Sequence, residues 1–248
     1  MGQLFHDYLF APLFNLLIWL YDVIPGHDIG LAIIALTLVI RLILFPLSRK
    51  AIRSQKELQA LQPKLKELQE RFKDKRDELA RATMALYKEH KINPLAWLAP
   101  ALVQIPIILA LYQTFQAGLS DQSLNFLYPF VANPGQISHL MFGIFDLSKP
   151  SVYLAVAAGL AQFLHLRLTH LYRNVPATKP SANQDAMQQG LQSMQKNMTF
   201  MFPVLTLVAA LNFPAALALY WLATTIFTIA QEVYVHHSAL QKQIIAKN

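Results

Sequence analysis

The chain has 248 residues, of which 54% are hydrophobic and only 14% charged, a balance well to the apolar side of a water-soluble domain. It contains no cysteine, which excludes disulfides, thiolate metal sites and cysteine nucleophiles. A formal charge of +7 would suit nucleic acid, but in so apolar a chain the placement of the basic residues says more than their sum.

Residues 1–28 hold no lysine or arginine. Leu4, Phe5, Leu9, Phe10, Leu13, Phe14, Leu17, Ile18 and Trp19 recur there among His6, Asp7, Pro12, Asn15 and Asp22, which predicts an amphipathic helix lying in the outer membrane interface. A signal peptide would want a basic start and a small-residue cleavage site, and neither is clear. A spanning helix needs roughly 20 apolar residues. The first such segment is 29–47. Residues 48–94 then turn charged and glutamine-rich, with Leu58, Leu61, Leu65, Leu68 and Phe72 on a coiled-coil seam. Leu79, Thr83, Leu86 and Tyr87 follow after a polar break, so the segment reads as two antiparallel helices, a cytoplasmic hairpin in which Pro63 kinks or starts a helix.

The second span is 95–119, with Pro100 and Pro106 inside it, and 120–150 reads as an extracytoplasmic loop with interfacial pieces. The third span, 151–166, and the fourth, 198–211, are short of a full crossing at a rise of about 1.5 Å per residue. Between them, 167–197 is a proline- and glutamine-rich cytoplasmic loop. The fifth span, 213–235, follows the fourth through a tight turn at Phe213-Pro214, and 236–248 is a cytoplasmic tail.

Thirteen of the 21 basic residues lie between Arg49 and Lys91, four between Arg167 and Lys196, and two after Val235. With five spans all three groups fall on one face, which the positive-inside rule makes the cytoplasm and which puts the N-terminus outside. A four-span chain would put the last lysines on the opposite face from the large basic segment. The expected fold is therefore an all-α membrane protein, one membrane domain of five transmembrane helices with an N-terminal interfacial helix and a cytoplasmic helical hairpin.

Arg41 stands in the middle of Leu38-Val39-Ile40-Arg41-Leu42-Ile43-Leu44, where a guanidinium costs about 2.5–3.5 kcal/mol on insertion scales. Two readings compete. The side chain could snorkel the roughly 10 Å to the cytoplasmic end, or it could face a wet cavity. Helix phase favours the second, because Thr37 and Ser48 share its face. In the fifth span Tyr220, Thr224, Thr228 and Gln231 make one polar stripe, and Gln104, Gln113, Gln162 and His165 add donors elsewhere. Each could be simple helix-to-helix glue; together with Arg41 they suggest a polar groove. Nothing points to an enzyme: there is no HExxH, GxSxG or Walker loop. His236-His237 lacks the spacing of a metal site, and no metal or other cofactor is expected.

With these residues in view, the chain resembles the YidC family of membrane protein insertases, which is similar to the mitochondrial Oxa and chloroplast Albino proteins. Gly30 to Ile34, Arg41-Leu42 and Phe45-Pro46-Leu47 look like the family's first core helix with its groove arginine. Leu61-Gln62-Pro63-Lys64 with Leu68-Gln69, then Tyr87 to Pro94 and Leu102 to Ile107, look like its hairpin and second core helix. Leu219-Tyr220-Trp221 with Gln231 resembles the last helix. Departures fall at Thr225, where many relatives carry asparagine, and at Ala216, where many carry glycine. The chain looks like a minimal five-helix core in a bacterial cytoplasmic (inner) membrane.

The resemblance implies a groove, built here from Arg41, Thr37, Gln104, Gln162, Tyr220, Trp221, Thr224 and Thr228, that captures hydrophilic parts of nascent membrane proteins and releases their apolar segments into the lipid bilayer. The ribosome and the Sec translocon are its candidate partners. The hairpin's net charge of +6 over 49–92 suits ribosomal RNA or anionic headgroups. The alternative is a transporter or channel using Arg41 to bind a small anion; it would be favoured by internal repeats, which the sequence lacks.

Overall fold

The computed structural model describes residues 2–72, 75–91, 93, 99–118, 126–172, 201 and 203–245. They fall into two compact units, one built on residues up to Ile43 and from Pro106 onward, the other on Leu44–Ile105.

The first unit opens with α1, Gln3–Val23. A π-helical turn at His6–Phe10 is followed by an α-helical stretch with a proline, Pro12, in its first turn. One face of α1 is packed inward: Phe10, Ala11, Phe14 and Ile18 form a cluster with Val131 of the following loop. The helix ends where Ile24 turns extended and Gly26 and His27 adopt positive φ. Asp28 then caps α2, Ile29–Ile43, its carboxylate accepting the Leu31 N–H at 3.0 Å. Gly30 is required by close approach, since a Cβ there would lie 2.3 Å from Met141 Cγ.

The loop from Phe126 to Ser151 is tied to α1 and to the start of α2. Asn15, fully inside, donates to the Phe126 carbonyl at 3.0 Å and accepts the Tyr128 N–H at 2.6 Å, while the Ser138 N–H donates to Tyr21 Oη at 3.0 Å. A two-stranded antiparallel hairpin follows, β1 (Leu140–Met141) and β2 (Phe145–Asp146), with Met141 opposite Phe145. At its base the Ser148 hydroxyl and the Lys149 ammonium hold the Asp146 carboxyl down to about 2, so this end of the hairpin stays ionised.

The remaining helices of this unit are the C-terminal part of α6 (Ala99–Gly118), α7 (Val152–Tyr172), α8 (Pro203–Asn212) and α9 (Ala215–Ile245). Only Phe213 and Pro214 join α8 to α9, the tight turn that the sequence predicts; Leu217 N–H donates back to the Pro214 carbonyl at 2.9 Å. In the second unit α3 (Phe45–Ala60), α4 (Gln62–Arg71) and α5 (Arg76–Glu89) follow one another. Leu61 and Leu65 of the expected seam are buried, and Lys64 Nζ lies 3.1 Å from His90 Nε2. Burial pushes the Tyr87 phenol up.

Several boundaries differ from the expected ones, each for a local reason. The first apolar helix breaks at Leu44 instead of running to Leu47, because Pro46 has no N–H and its ring would strike the carbonyl one turn back. Pro63 starts a helix: it lies in the first turn of α4, where its missing N–H is harmless. The third apolar helix runs to Tyr172, not to 166. Its polar residues find partners on the way, with the Arg167 guanidinium 5.3 Å above the Phe163 ring and Thr169 bonded to α9. The last helix continues past Val235 to Ile245. The expected cytoplasmic loop, from 173, and the start of the fourth span lie outside the described residues.

Among the described residues three helices, Gln3–Val23, Val152–Thr169 and Ala215–Val235, are long and apolar enough to cross a membrane, and Ile29–Ile43 with Phe45–Ser54 makes a fourth if the broken pair counts as one. Leu102–Ala117 and Pro203–Asn212 are shorter apolar helices.

Candidate functional site

Arg41 sits in the last turn of α2, about 18 Å along the helix from Ile29. The side chain is half-buried, and its Nε is fully enclosed without a hydrogen-bond partner among the described residues. Tyr220 of α9, almost wholly buried, stands within electrostatic reach of the guanidinium. Among the described residues no carboxylate forms an ion pair with Arg41. One turn back, Thr37 is completely buried and its hydroxyl donates to the Ile33 carbonyl at 2.7 Å, so its own helix satisfies it.

Two turns of α9 continue the polar surface from Tyr220. Thr224 Oγ1 is buried and has no partner among the described residues, and Thr228 donates to the Thr224 carbonyl at 2.8 Å. Gln231 lies on the same stripe and is buried with a partner. A further hydroxyl, Thr114 on α6, is wholly buried and has no partner among the described residues. Sequence reasoning missed it, because a single threonine between Gln113 and Phe115 gives no periodic signal.

An adjoining face of α9 is a packed seam. The small side chains of Ala155 and Ala218 are fully buried in one cluster with Ala210, against which Leu154, Leu207 and Trp221 pack. Seven residues on, Thr225 Oγ1 is 3.3 Å from Gln162 Oε1 while donating to the Trp221 carbonyl at 2.8 Å. Seven further on, the single proton of Thr169 Oγ1 is shared between Glu232 Oε2 at 2.8 Å and the His165 carbonyl at 2.9 Å. His165 Nε2 lies 3.4 Å from the same carboxylate oxygen. The polar pairs share one offset of 63 residues, and the alanine pair has it too. A constant offset at heptad steps means that α7 and α9 run parallel with a coiled-coil-like register.

The eight expected groove residues therefore divide. Arg41 of α2 and Tyr220 of α9 lie within electrostatic reach of one another where these two helices pack; Thr37 is enclosed within α2, and Thr224 and Thr228 follow Tyr220 along α9. Gln162 is engaged on the α7 seam, roughly a third of a turn around α9 from Tyr220 at about 100° per residue. Trp221 packs with the small residues and meets Phe213 edge-on at 6.2 Å. Gln104 belongs to the other unit, where it is half-buried and partnered. Thr225 and Glu232 are the structural residues that periodicity alone did not single out. Among the described residues no group of acids and histidines is arranged to hold a metal ion. What the α2–α9 line offers chemically is a fixed positive charge with a free N–H donor in apolar surroundings, which attracts a carboxylate far more strongly than it would in water.

The family model for the 60Kd inner membrane protein matches residues 19–243. The chain is 36% identical over 214 residues to the membrane protein insertase YidC of Geotalea daltonii, a match covering 86% of this chain and 34% of that protein. It is also 36% identical to the insertase YidC of Histophilus somni, over 95% of this chain and 38% of that protein. The chain thus spans little more than a third of the length of these relatives. A crystal structure of an active YidC insertase with its first transmembrane domain resolved superposes with a TM-score of 0.56 at 24% identity, over 92% of this chain and 46% of that one.

Proposed function

This chain belongs to the 60Kd inner membrane protein family, and from that premise we propose that it is a membrane protein insertase whose groove is the line between α2 and α9. The observation that carries the reading is the enclosed, unpartnered Nε of Arg41 beside Tyr220. A guanidinium left so in an apolar bundle is stabilised only by water or by a transient anionic guest, and the acidic stretch of a nascent chain is such a guest. Its hydrophilic part is held by Arg41, Tyr220 and Thr224, and its apolar segment then partitions into lipid. The relatives' names do not favour the rival reading of a small-anion transporter.

The topology in this proposal has five spans with the N-terminus outside. Two observations support it. Parallel α7 and α9 require a single crossing between them, and α8 supplies it although only ten of its residues are helical in the described part. And α1 touches one loop along its whole length: His6 and Phe10 meet Phe126, Asn15 holds Phe126 and Tyr128, and Tyr21 holds Ser138. A helix crossing the bilayer would leave a loop on one side behind, so this pattern favours α1 lying in the outer interface. The α4–α5 pair is then cytoplasmic, with the ribosome and the Sec translocon as its partners.

The test is insertion of a single-span client with an acidic N-terminal tail into vesicles carrying the full chain. Arg41→Ala abolishes it and Arg41→Lys restores most of it, while a client with a neutral tail is little affected. Insertion by the alanine variant at the rate of the unchanged protein would remove the charge from the mechanism.

A further inference from the structure

The β1–β2 hairpin has a tip with no polar side chain: Leu140-Met141-Phe142-Gly143-Ile144-Phe145. Phe142 and Ile144 are 58% and 76% exposed, and Leu140 and Phe145 are also open. Apolar residues scattered singly on a surface are ordinary, but four exposed within six residues at the point of a turn are not.

This tip is held in place, and the N–H groups of Phe142 and Ile144 are satisfied within the protein. Phe142 adopts a φ of +53°, a conformation that side-chain-bearing residues rarely take, and its N–H donates to the Asp28 carboxylate in front of α2. The Ile144 N–H closes a turn onto the Met141 carbonyl at 3.1 Å, and Met141 lies directly on Gly30. Such internal pairing of N–H groups is what a segment needs before it can leave water, because hydrocarbon offers no replacement partners. The ionised Asp146–Lys149 pair sits at the base of the hairpin. Beyond the base, α7 begins with Val152 and Tyr153, which are likewise exposed, so the apolar surface of the tip leads on to that of a membrane-crossing helix.

We propose that the Phe142-Gly143-Ile144 tip is a lipid anchor that dips into the acyl region of the outer leaflet and fixes the depth of the outer ends of α2 and α7. Phe142 and Ile144 at that level resist withdrawal into water, and the Asp146–Lys149 ion pair at the base resists deeper sinking. Because the tip is bonded to Asp28 and stacked on Gly30, its depth is passed to α2, the helix that carries Arg41. The inference rests on the membrane placement of this unit that underlies the proposed function.

The chain's lack of cysteine makes single-site labelling direct. Ile144→Cys and, separately, Leu160→Cys on the exposed side of α7 are spin-labelled in the full chain, reconstituted in phosphatidylcholine–phosphatidylglycerol vesicles, and probed with oxygen and a water-soluble nickel chelate. The anchor requires a label at 144 that collides readily with oxygen and little with nickel, approaching the ratio at 160. A nickel-accessible label at 144 with a lipid-like label at 160 overturns the anchor and leaves the membrane placement standing. Protection from both reagents at 144 also overturns it, in favour of a protein partner on the tip. Nickel access at both sites overturns the anchor together with the placement of the unit.

Discussion

Two faces of one helix behave in opposite ways. Toward α7, α9 meets small residues and paired polar groups in a regular register, Ala218 with Ala155, Thr225 with Gln162, Glu232 with Thr169. Away from that seam stand Tyr220, which lies near Arg41, and Thr224, and among the described residues nothing bonds the enclosed polar atoms Arg41 Nε and Thr224 Oγ1. The side-chain types are similar on both faces, and hydropathy does not distinguish them. What differs is whether a neighbouring helix supplies the complementary group, and that decides whether a polar residue in an apolar helix acts as glue or as the lining of a groove.

Arg41→Ala, with the largest expected effect, costs insertion of acid-tailed clients and leaves thermal unfolding in detergent close to that of the unchanged protein. A large loss of stability would assign Arg41 to the packing instead. Ala155→Leu or Ala218→Leu does the reverse, destabilising by about 1–3 kcal/mol through overpacking of the seam. The same unfolding measurement reads it, and an unaffected midpoint would dissolve the seam. Thr224→Val should reduce the insertion rate several-fold while leaving stability unchanged or raised by up to about 1 kcal/mol, because it removes a buried hydroxyl that nothing satisfies. Smallest is the coupling between Thr169 and Glu232. A double-mutant cycle of Thr169→Val and Glu232→Leu is expected to give about 0.6 kcal/mol, the usual size of a hydrogen bond between membrane helices, and zero coupling would mean that the two sites act separately.

Much of this was legible in the sequence, and the limits are physical. Arg41 stood out because a charge among Leu and Ile needs compensation, and the Tyr220–Thr224–Thr228 stripe because its spacing follows the helical period. Pro63 and the Phe213-Pro214 turn were legible because proline acts locally. The length of α7 was underestimated, since His165, Arg167 and Thr169 look like the end of an apolar segment until α9 and Phe163 provide for them. The division of the groove residues was hidden for the same reason. Gln162 has the composition of a groove donor, and only its position opposite Thr225 makes it glue. The clamp of Asn15 on residues 126–128 joins positions more than a hundred apart, which no local pattern records.

The two faces of α9 part between two adjacent threonines. Thr224→Cys and Thr225→Cys, each the sole cysteine in the chain, can be exposed in membranes to a water-soluble maleimide, which modifies only a thiol that can ionise in contact with water. A water-bearing α2–α9 groove predicts fast labelling at 224 and protection at 225; equal protection at both positions would mean that the surroundings of Arg41 are dry and that no groove is there.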